Sequence, residues 1–193
     1  MKYPTIQMFE LAGQDVLSGA IDGKAAFFAM LERTKTEPVE PLPLLIDFDG
    51  IQVATASYLR EAVFALKTYL RTRDSKFYPV AANANTAVRD ELAVIAEAKK
   101  EYLLVVEVSP AGEVTNQVII GQLDPKQATT FDRVKRLGRT TAGEMKDKFS
   151  AEEDISAPTV WNNRLASLAA QGLILEHTQG RAKFYKPLFT EVN

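Results

Sequence analysis

Residues 44–48, Leu-Leu-Ile-Asp-Phe, form an apolar run broken only by Asp47. Such a run suits a strand covered on both faces, the usual setting of a strand in a sheet flanked by helices. The neighbouring segments fit that setting. Residues 6–11 read as a short strand. Residues 23–33 read as a helix, with Phe27, Met30 and Leu31 at i, i+3, i+4. Pro38, Pro41 and Pro43 then mark a connection that cannot be helix interior. From about 56 to 71, Leu59, Val63, Leu66 and Leu70 recur at i, i+4, i+7, i+11 and predict a strongly amphipathic helix. A strand at 77–82 and a helix at 86–99 follow, the helix carrying Val88, Leu92 and Ile95 on one face. Strands at 103–108 and 117–120 flank the turn signal Ser109-Pro110-Ala111-Gly112, which predicts a hairpin. The order β-α-β-α-β-α-ββ implies an α/β fold: a partly parallel, mixed sheet with helices packed on it and an antiparallel pair at its end.

The pattern changes at Asp124-Pro125. Residues 126–137 read as a helix closed by Gly138. Thr141-Ala142-Gly143-Glu144 is a capping box that starts a second helix, running to about Phe149 and followed by an acidic turn at Glu152-Glu153-Asp154. Ser156 is placed to cap a third helix with Pro158 in its first turn, stopping at Gly172. Two short strands, 173–176 and 182–186, close the segment around Thr178-Gln179-Gly180-Arg181. Charge shifts at the same boundary. Residues 1–123 hold 12 Lys and Arg against 16 Asp and Glu, a balance of −4, and residues 124–193 hold 11 against 9, a balance of +2. Two domains, 1–123 and 124–193, are therefore expected, the second more tolerant of an anionic partner.

Composition closes off several chemistries. The 193 residues include no cysteine, so disulfides, thiolate metal sites and cysteine nucleophiles are excluded. The single histidine, His177, excludes a multi-histidine metal site; it falls on the C-terminal hairpin, facing solvent. Gly13, Gly19 and Gly23-Lys24 lack the spacing of a phosphate loop. No apolar run reaches the roughly 18 residues of a membrane span. Met1-Lys2-Tyr3-Pro4-Thr5 has no apolar core of a signal peptide, so a cytoplasmic protein that does not engage membranes is expected.

On a wheel of about 100° per residue, the third C-terminal helix buries Trp161, Leu165 and Leu168. Its opposite face carries Thr159, Asn163, Ala166 and Ala170, flanked by Asn162: polar, small and uncharged. A DNA major groove admits a helix, and Asn is able to pair with adenine through two hydrogen bonds. Arg164, at the edge of the buried stripe, is placed to reach a phosphate. Gly180, Arg181 and Lys183 put cations on the hairpin, where they would meet backbone or minor groove. The string Pro158-Thr159-Val160-Trp161-Asn162-Asn163-Arg164-Leu165, then Leu168, Gly172-Leu173-Ile174 and Gly180-Arg181 with Tyr185-Lys186-Pro187, resembles the recognition helix and wing of bacterial winged helix-turn-helix regulators. The resemblance covers about 65 residues. It implies three helices and a β-hairpin, and double-stranded DNA as partner; winged helices also serve as protein-docking or dimerisation modules.

In the N-terminal domain, Asp47-Phe48-Asp49-Gly50 resembles the Asp-x-Asp-Gly-Thr motif of haloacid-dehalogenase-like phosphohydrolases, in which paired Asp residues crowd a magnesium ion. Here Ile51 replaces the Thr and no second acidic pair follows a later strand, so no metal site, cofactor or catalytic residue is expected. A longer match runs from Leu45-Ile46-Asp47-Phe48-Asp49-Gly50-Ile51 into Ala54-Thr55-Ala56-Ser57-Tyr58-Leu59. It resembles the STAS domain of anti-sigma-factor antagonists, and more closely the STAS-like domains of unknown function, over residues 40–108. In the antagonists a Ser opening this helix is phosphorylated by a GHKL-type kinase. Ala56 stands at the equivalent position, with Ser57 next to it, Thr55 where the family has Asp, and Tyr58 where it has Gly. The resemblance implies Thr55 or Ser57 as phosphoacceptor or docking residue. Read from the residues alone, either is an N-cap.

These readings lead to one expectation: a non-enzymatic bacterial regulator in which a STAS-like domain senses or docks a partner and a winged helix binds DNA. With only +2 on the second domain, two copies on paired half-sites are needed for useful affinity. The alternative is a partner-switch protein whose two domains bind only proteins; a third reading, the haloacid-dehalogenase-like phosphohydrolase, needs Asp47 and Asp49 pointing into one open cleft with a further carboxylate.

Overall fold

The computed structural model describes residues 3–153 and 157–190. It divides into two compact units, Met1–Gln122 and Leu123–Asn193. The first is α/β. Its mixed sheet has the order β1-β3-β5-β6-β7, built from β1 (Thr5–Gln7), β3 (Leu42–Asp47), β5 (Phe77–Ala82), β6 (Leu103–Val108) and β7 (Val114–Ile120). The first four run parallel and β7 is antiparallel to β6. A parallel pair of two-residue strands, β2 (Val16–Leu17) and β4 (Val53–Ala54), stands apart from this sheet.

The parallel strands enter the sheet in chain order, so each right-handed crossover steps in the same direction and leaves its helix on the same face. The core agrees. Ile6, Leu44, Ile46, Ala81, Leu103 and Val105 share one cluster with Met30 of α2 (Ala20–Arg33), Leu59 of α3 (Ala56–Leu59), Leu66 of α4 (Ala65–Thr72), and Val88, Leu92 and Ile95 of α5 (Thr86–Lys99). Leu45, Val80, Leu104 and Val106 alternate with these strand residues and are also buried. The run 44–48 is thus buried along its whole length.

Four local features differ from the sequence reading. Pro43 lies inside β3 rather than before it. Leu45, two residues on, donates its N–H to Pro4 O on the β1 side, so Pro43 turns its ring to the same edge, where β1 has not yet begun and no ladder bond is lost. Residues 6–11 are not one strand: the chain turns at Met8 into α1 (Met8–Ala12), which Gly13 closes at φ 68. Met8 and Leu11 at i, i+3 and a glycine C-cap are helix signals too brief to outweigh Ile6. The helix from 56 to 72 is continuous but π-helical over Arg60–Phe64. The wider turn buries three successive residues, Ala62, Val63 and Phe64. In β7 the register shifts opposite Val105 and Glu107, and Asn116 takes φ 49.

Among the described residues, the second unit consists of three helices and a hairpin. In α6 (Pro125–Leu137), Asp124 caps the N-terminus by accepting from the Lys126 and Gln127 amides at 2.8 and 2.9 Å, and Gly138 closes the other end. The capping box forms with both bonds: the Glu144 N–H donates to Thr141 Oγ1 at 3.1 Å and the Thr141 N–H to the Glu144 carboxylate at 3.0 Å. The helix it starts, α7 (Ala142–Glu153), runs one turn beyond Phe149, so Glu152 and Glu153 are helical rather than part of an acidic turn, and Asp154 lies outside the described residues. Ser156 lies outside the described residues; α8 (Pro158–Ala170) follows Ala157. Strands β8 (Ile174–Gln179) and β9 (Ala182–Pro187) are longer than the sequence suggested, and only Gly180 and Arg181 lie between them. Thr140 forms a bridge with Tyr185, a one-residue extension of the hairpin. Among the described residues no helix is long and apolar enough to cross a membrane.

Candidate functional site

The periodicity of α8 places its buried stripe as the wheel predicted. Trp161, Leu165 and Leu168 are fully buried, and Phe149 of α7 lies against Trp161 with ring centroids 6.4 Å apart. Thr159, Asn162 and Asn163 are exposed, with Val160 beside them, while Ala166 is half-buried. The exposed part of α8 is therefore hydrogen-bonding and apolar but uncharged.

Arg164 is not on that surface. Its Nη1 donates to Glu153 Oε2 at 2.5 Å, its guanidinium lies 5.0 Å from the Trp161 ring centroid, and its side chain is 11% exposed. The arm expected to reach a phosphate is held inward, because Glu153 sits at the end of a helix one turn longer than the sequence suggested. Arg133 of α6 joins the same cluster. It bonds Glu153, donates to Glu152 Oε2 at 2.8 Å, and stacks over Phe149 at 4.2 Å. Burial raises the Glu153 pKa, but hydrogen bonds from Arg164 and Arg133 and their charges outweigh it and hold the carboxyl below its ordinary value.

On the hairpin, Arg181 is exposed in the turn. Lys183 is half exposed, and its Nζ lies 2.7 Å from Glu176 across the strands. His177 is half-buried opposite Phe184 rather than solvent-facing. Sequence reasoning missed Arg139, an exposed residue whose guanidinium lies 3.9 Å over the Phe184 ring. The bridge at the adjacent Thr140 carries it to β9, and no local periodicity announces a one-residue bridge.

In the first unit, Thr55 is the N-cap of the 56–72 helix. Its Oγ1 accepts from Tyr58 N at 3.4 Å and from Gly19 N at 3.3 Å, and lies 3.2 Å from Ser57 Oγ. Both hydroxyl residues are half-buried. The start of α2 packs over this point: a Cβ on Gly23 would stand 2.6 Å from Tyr58 O. Burial, with the Asp22 charge adding to it, pushes the Tyr58 phenol up to about 12.

At the carboxyl end of β3, Asp47 Oδ1 accepts from Asp49 N at 3.0 Å and from Asn83 Nδ2 at 2.9 Å. Asn83, at φ 53, also accepts from Val108 N at 2.8 Å, so it ties three strand ends together. A cleft of about 540 Å³ opens there, with Tyr3, Gln7, Asp47, Asp49 and Ser109 among its walls. Asp47 and Asp49 thus share an opening, but among the described residues no group of three His, Cys, Asp or Glu side chains is arranged to hold a metal ion. No protein-family model matches this chain, and no curated protein matches it at a significant level.

Proposed function

We propose that this chain is a non-enzymatic, cytoplasmic regulator in which Leu123–Asn193 is a winged helix that binds double-stranded DNA and Met1–Gln122 is a STAS-like docking or sensing domain. The observation that carries the reading is the surface of α8: Thr159, Asn162 and Asn163 stand exposed over a fully buried Trp161-Leu165-Leu168 stripe, next in the chain to a hairpin with Arg181 at its tip. A helix with that division has one face for the fold and another for base edges. Arg181 and the exposed Arg139 are suited to phosphate contact, and Lys183 reaches it by releasing Glu176. Two copies on paired half-sites supply the affinity that one weakly charged domain lacks.

The mixed sheet, parallel in its first four strands, with a capped helix after β3 suits a STAS-like reading of the first unit. Thr55 acts as the cap. Ser57, beside it, is then the hydroxyl for a GHKL-type kinase, and phosphate there adds nearly two negative charges to a docking face.

A docking-only reading has one observation in its favour: Arg164 and Lys183, two cations a DNA interface would use, each have a carboxylate partner. Duplex binding by the intact chain separates the two readings. Arg181→Ala is expected to weaken all duplexes alike and to flatten the salt dependence by about one unit of slope, whereas Asn163→Ala costs about 1–3 kcal/mol on a preferred site and little on random DNA. No salt-sensitive binding at about 50 mM salt and micromolar protein leaves the docking-only reading in place.

A further inference from the structure

We infer that α8 reads A·T base pairs, not G·C pairs, in the major groove; this rests on the DNA-binding reading above and names the base class it recognises. Each base edge calls for a particular side-chain chemistry. Guanine offers two acceptors, O6 and N7, which Arg or Lys fills. Cytosine offers an amino donor, which Asp or Glu accepts. Adenine offers a donor beside an acceptor, N6 and N7, which an Asn or Gln amide matches with two bonds. Thymine offers a methyl group, met by apolar contact.

The only charged side chain of α8 is Arg164, and it is bonded to Glu153 beneath the surface with 11% exposure. The helix therefore presents no exposed guanidinium or ammonium for the paired guanine acceptors and no carboxylate for cytosine. What it presents is the carboxamide of Asn163, the Thr159 hydroxyl and methyl one turn before it, and the Ala166 methyl three residues after it. These three lie along one stripe at i, i+4 and i+7, with Ala166 half-buried at its far end, so they face one groove together. Exposed Val160 and Asn162 flank the stripe with the same two chemistries, methyl contact and amide pairing. Glu153 thus bears on specificity without touching DNA, because it withdraws the one guanidinium that would have favoured guanine.

The test uses the full chain. Sites are selected from a random duplex pool, and single atoms are then removed from the best site. Replacing adenine by 7-deazaadenine removes N7, replacing thymine by uracil removes the methyl, and replacing guanine by 7-deazaguanine is the control. The expected result is an A·T-rich contact region in which 7-deazaadenine at one or two positions weakens binding by roughly tenfold. Asn163→Ala, which removes both amide bonds, should bind the unmodified site at least as weakly as wild type binds the modified one, with no further loss when the two are combined. Asn163 is exposed, so this variant keeps its fold, and unchanged Trp161 emission checks that it has. Two results overturn the inference while leaving DNA binding intact: selected sites without A·T enrichment, or a loss confined to 7-deazaguanine. Absence of any duplex binding overturns the DNA reading and this inference together.

Discussion

The two units bury charge in different ways. In the first, a broad aliphatic cluster fills the space between sheet and helices, and its buried cation, Lys67, pairs with Glu101 at 3.5 Å. In the second, the guanidinium of Arg133 lies within the helical core, over Phe149 and 5.5 Å from the Trp161 ring centroid, while Glu153 joins it to Arg164. A small domain has less apolar surface to bury than a large one. Here stacked guanidiniums and a shared carboxylate occupy positions that aliphatic side chains fill in the first unit. Such a cluster adds little net stability compared with apolar packing of the same volume, but removing one member leaves a buried charge unpaired. It also fixes the relative positions of three helices. The second unit should therefore be the more sensitive of the two to both cavity and charge.

The largest expected effect is that of Trp161→Ala. It removes a fully buried indole and should cost about 3–5 kcal/mol. Much of the second unit's stability would be lost, with the first unit's unfolding transition unchanged in a denaturant titration followed by circular dichroism. Loss of both transitions together would show that the two units do not unfold independently. Next is Gly23→Ala in the first unit. The added Cβ would meet the backbone oxygen of Tyr58 at 2.6 Å, so α2 must shift, at about 1–3 kcal/mol. Tyr58 and its neighbours Leu59 and Ala62 are buried, and hydrogen exchange of the 56–72 helix should quicken while that of α6 to α8 stays the same. An unchanged exchange pattern would mean that this helix crossing is more compliant than its geometry suggests.

The smallest effect separates the units by pH. The Glu153 carboxyl is held below its ordinary 4.5, so the folded state binds fewer protons than the unfolded chain across that interval. Its contribution is present above 4.5 and is lost as pH falls through the lowered value. Lys67 acts at the alkaline end. Burial, only partly offset by Glu101, lowers its pKa from 10.5, so the first unit gains stability as pH rises from the lowered value towards 10.5. Trp161 is the only tryptophan, so its emission follows the second unit alone. Acid titration should move that signal, and Glu153→Gln should remove the dependence. An acid response that survives Glu153→Gln would assign it to another group.

Much of the first unit was legible in the sequence because its apolar residues carry the period of their own elements. The helix at 86–99 and the strands at 77–82 and 103–108 were read without error. The two-residue pair β2-β4 and the short helix α1 were not, since neither is long enough to show a period. In the second unit, the burial of Trp161, Leu165 and Leu168 was legible for the same reason, and the capping box because its two residues are three apart. The inward turn of Arg164 was not. Its partner Glu153 is 11 residues away on another helix, and a run of acidic residues gives no local sign that it will be drawn into a core. The exposed amide of Asn163 could be read from one helix, but the fate of its neighbour's charge depended on packing among three.

The irregularity in β7 bears on how copies of this protein meet. The strand ends the sheet, spans seven residues and exposes Val118, the kind of edge along which two molecules can pair backbone to backbone. The shifted register near its middle, with Asn116 at φ 49 and its side chain bonded to Glu107, bends the strand and sharpens its twist. A straight strand from a second molecule can match one side of that bend but not both. The same local kink that disrupts the ladder with β6 therefore guards the sheet against edge-to-edge growth into aggregates.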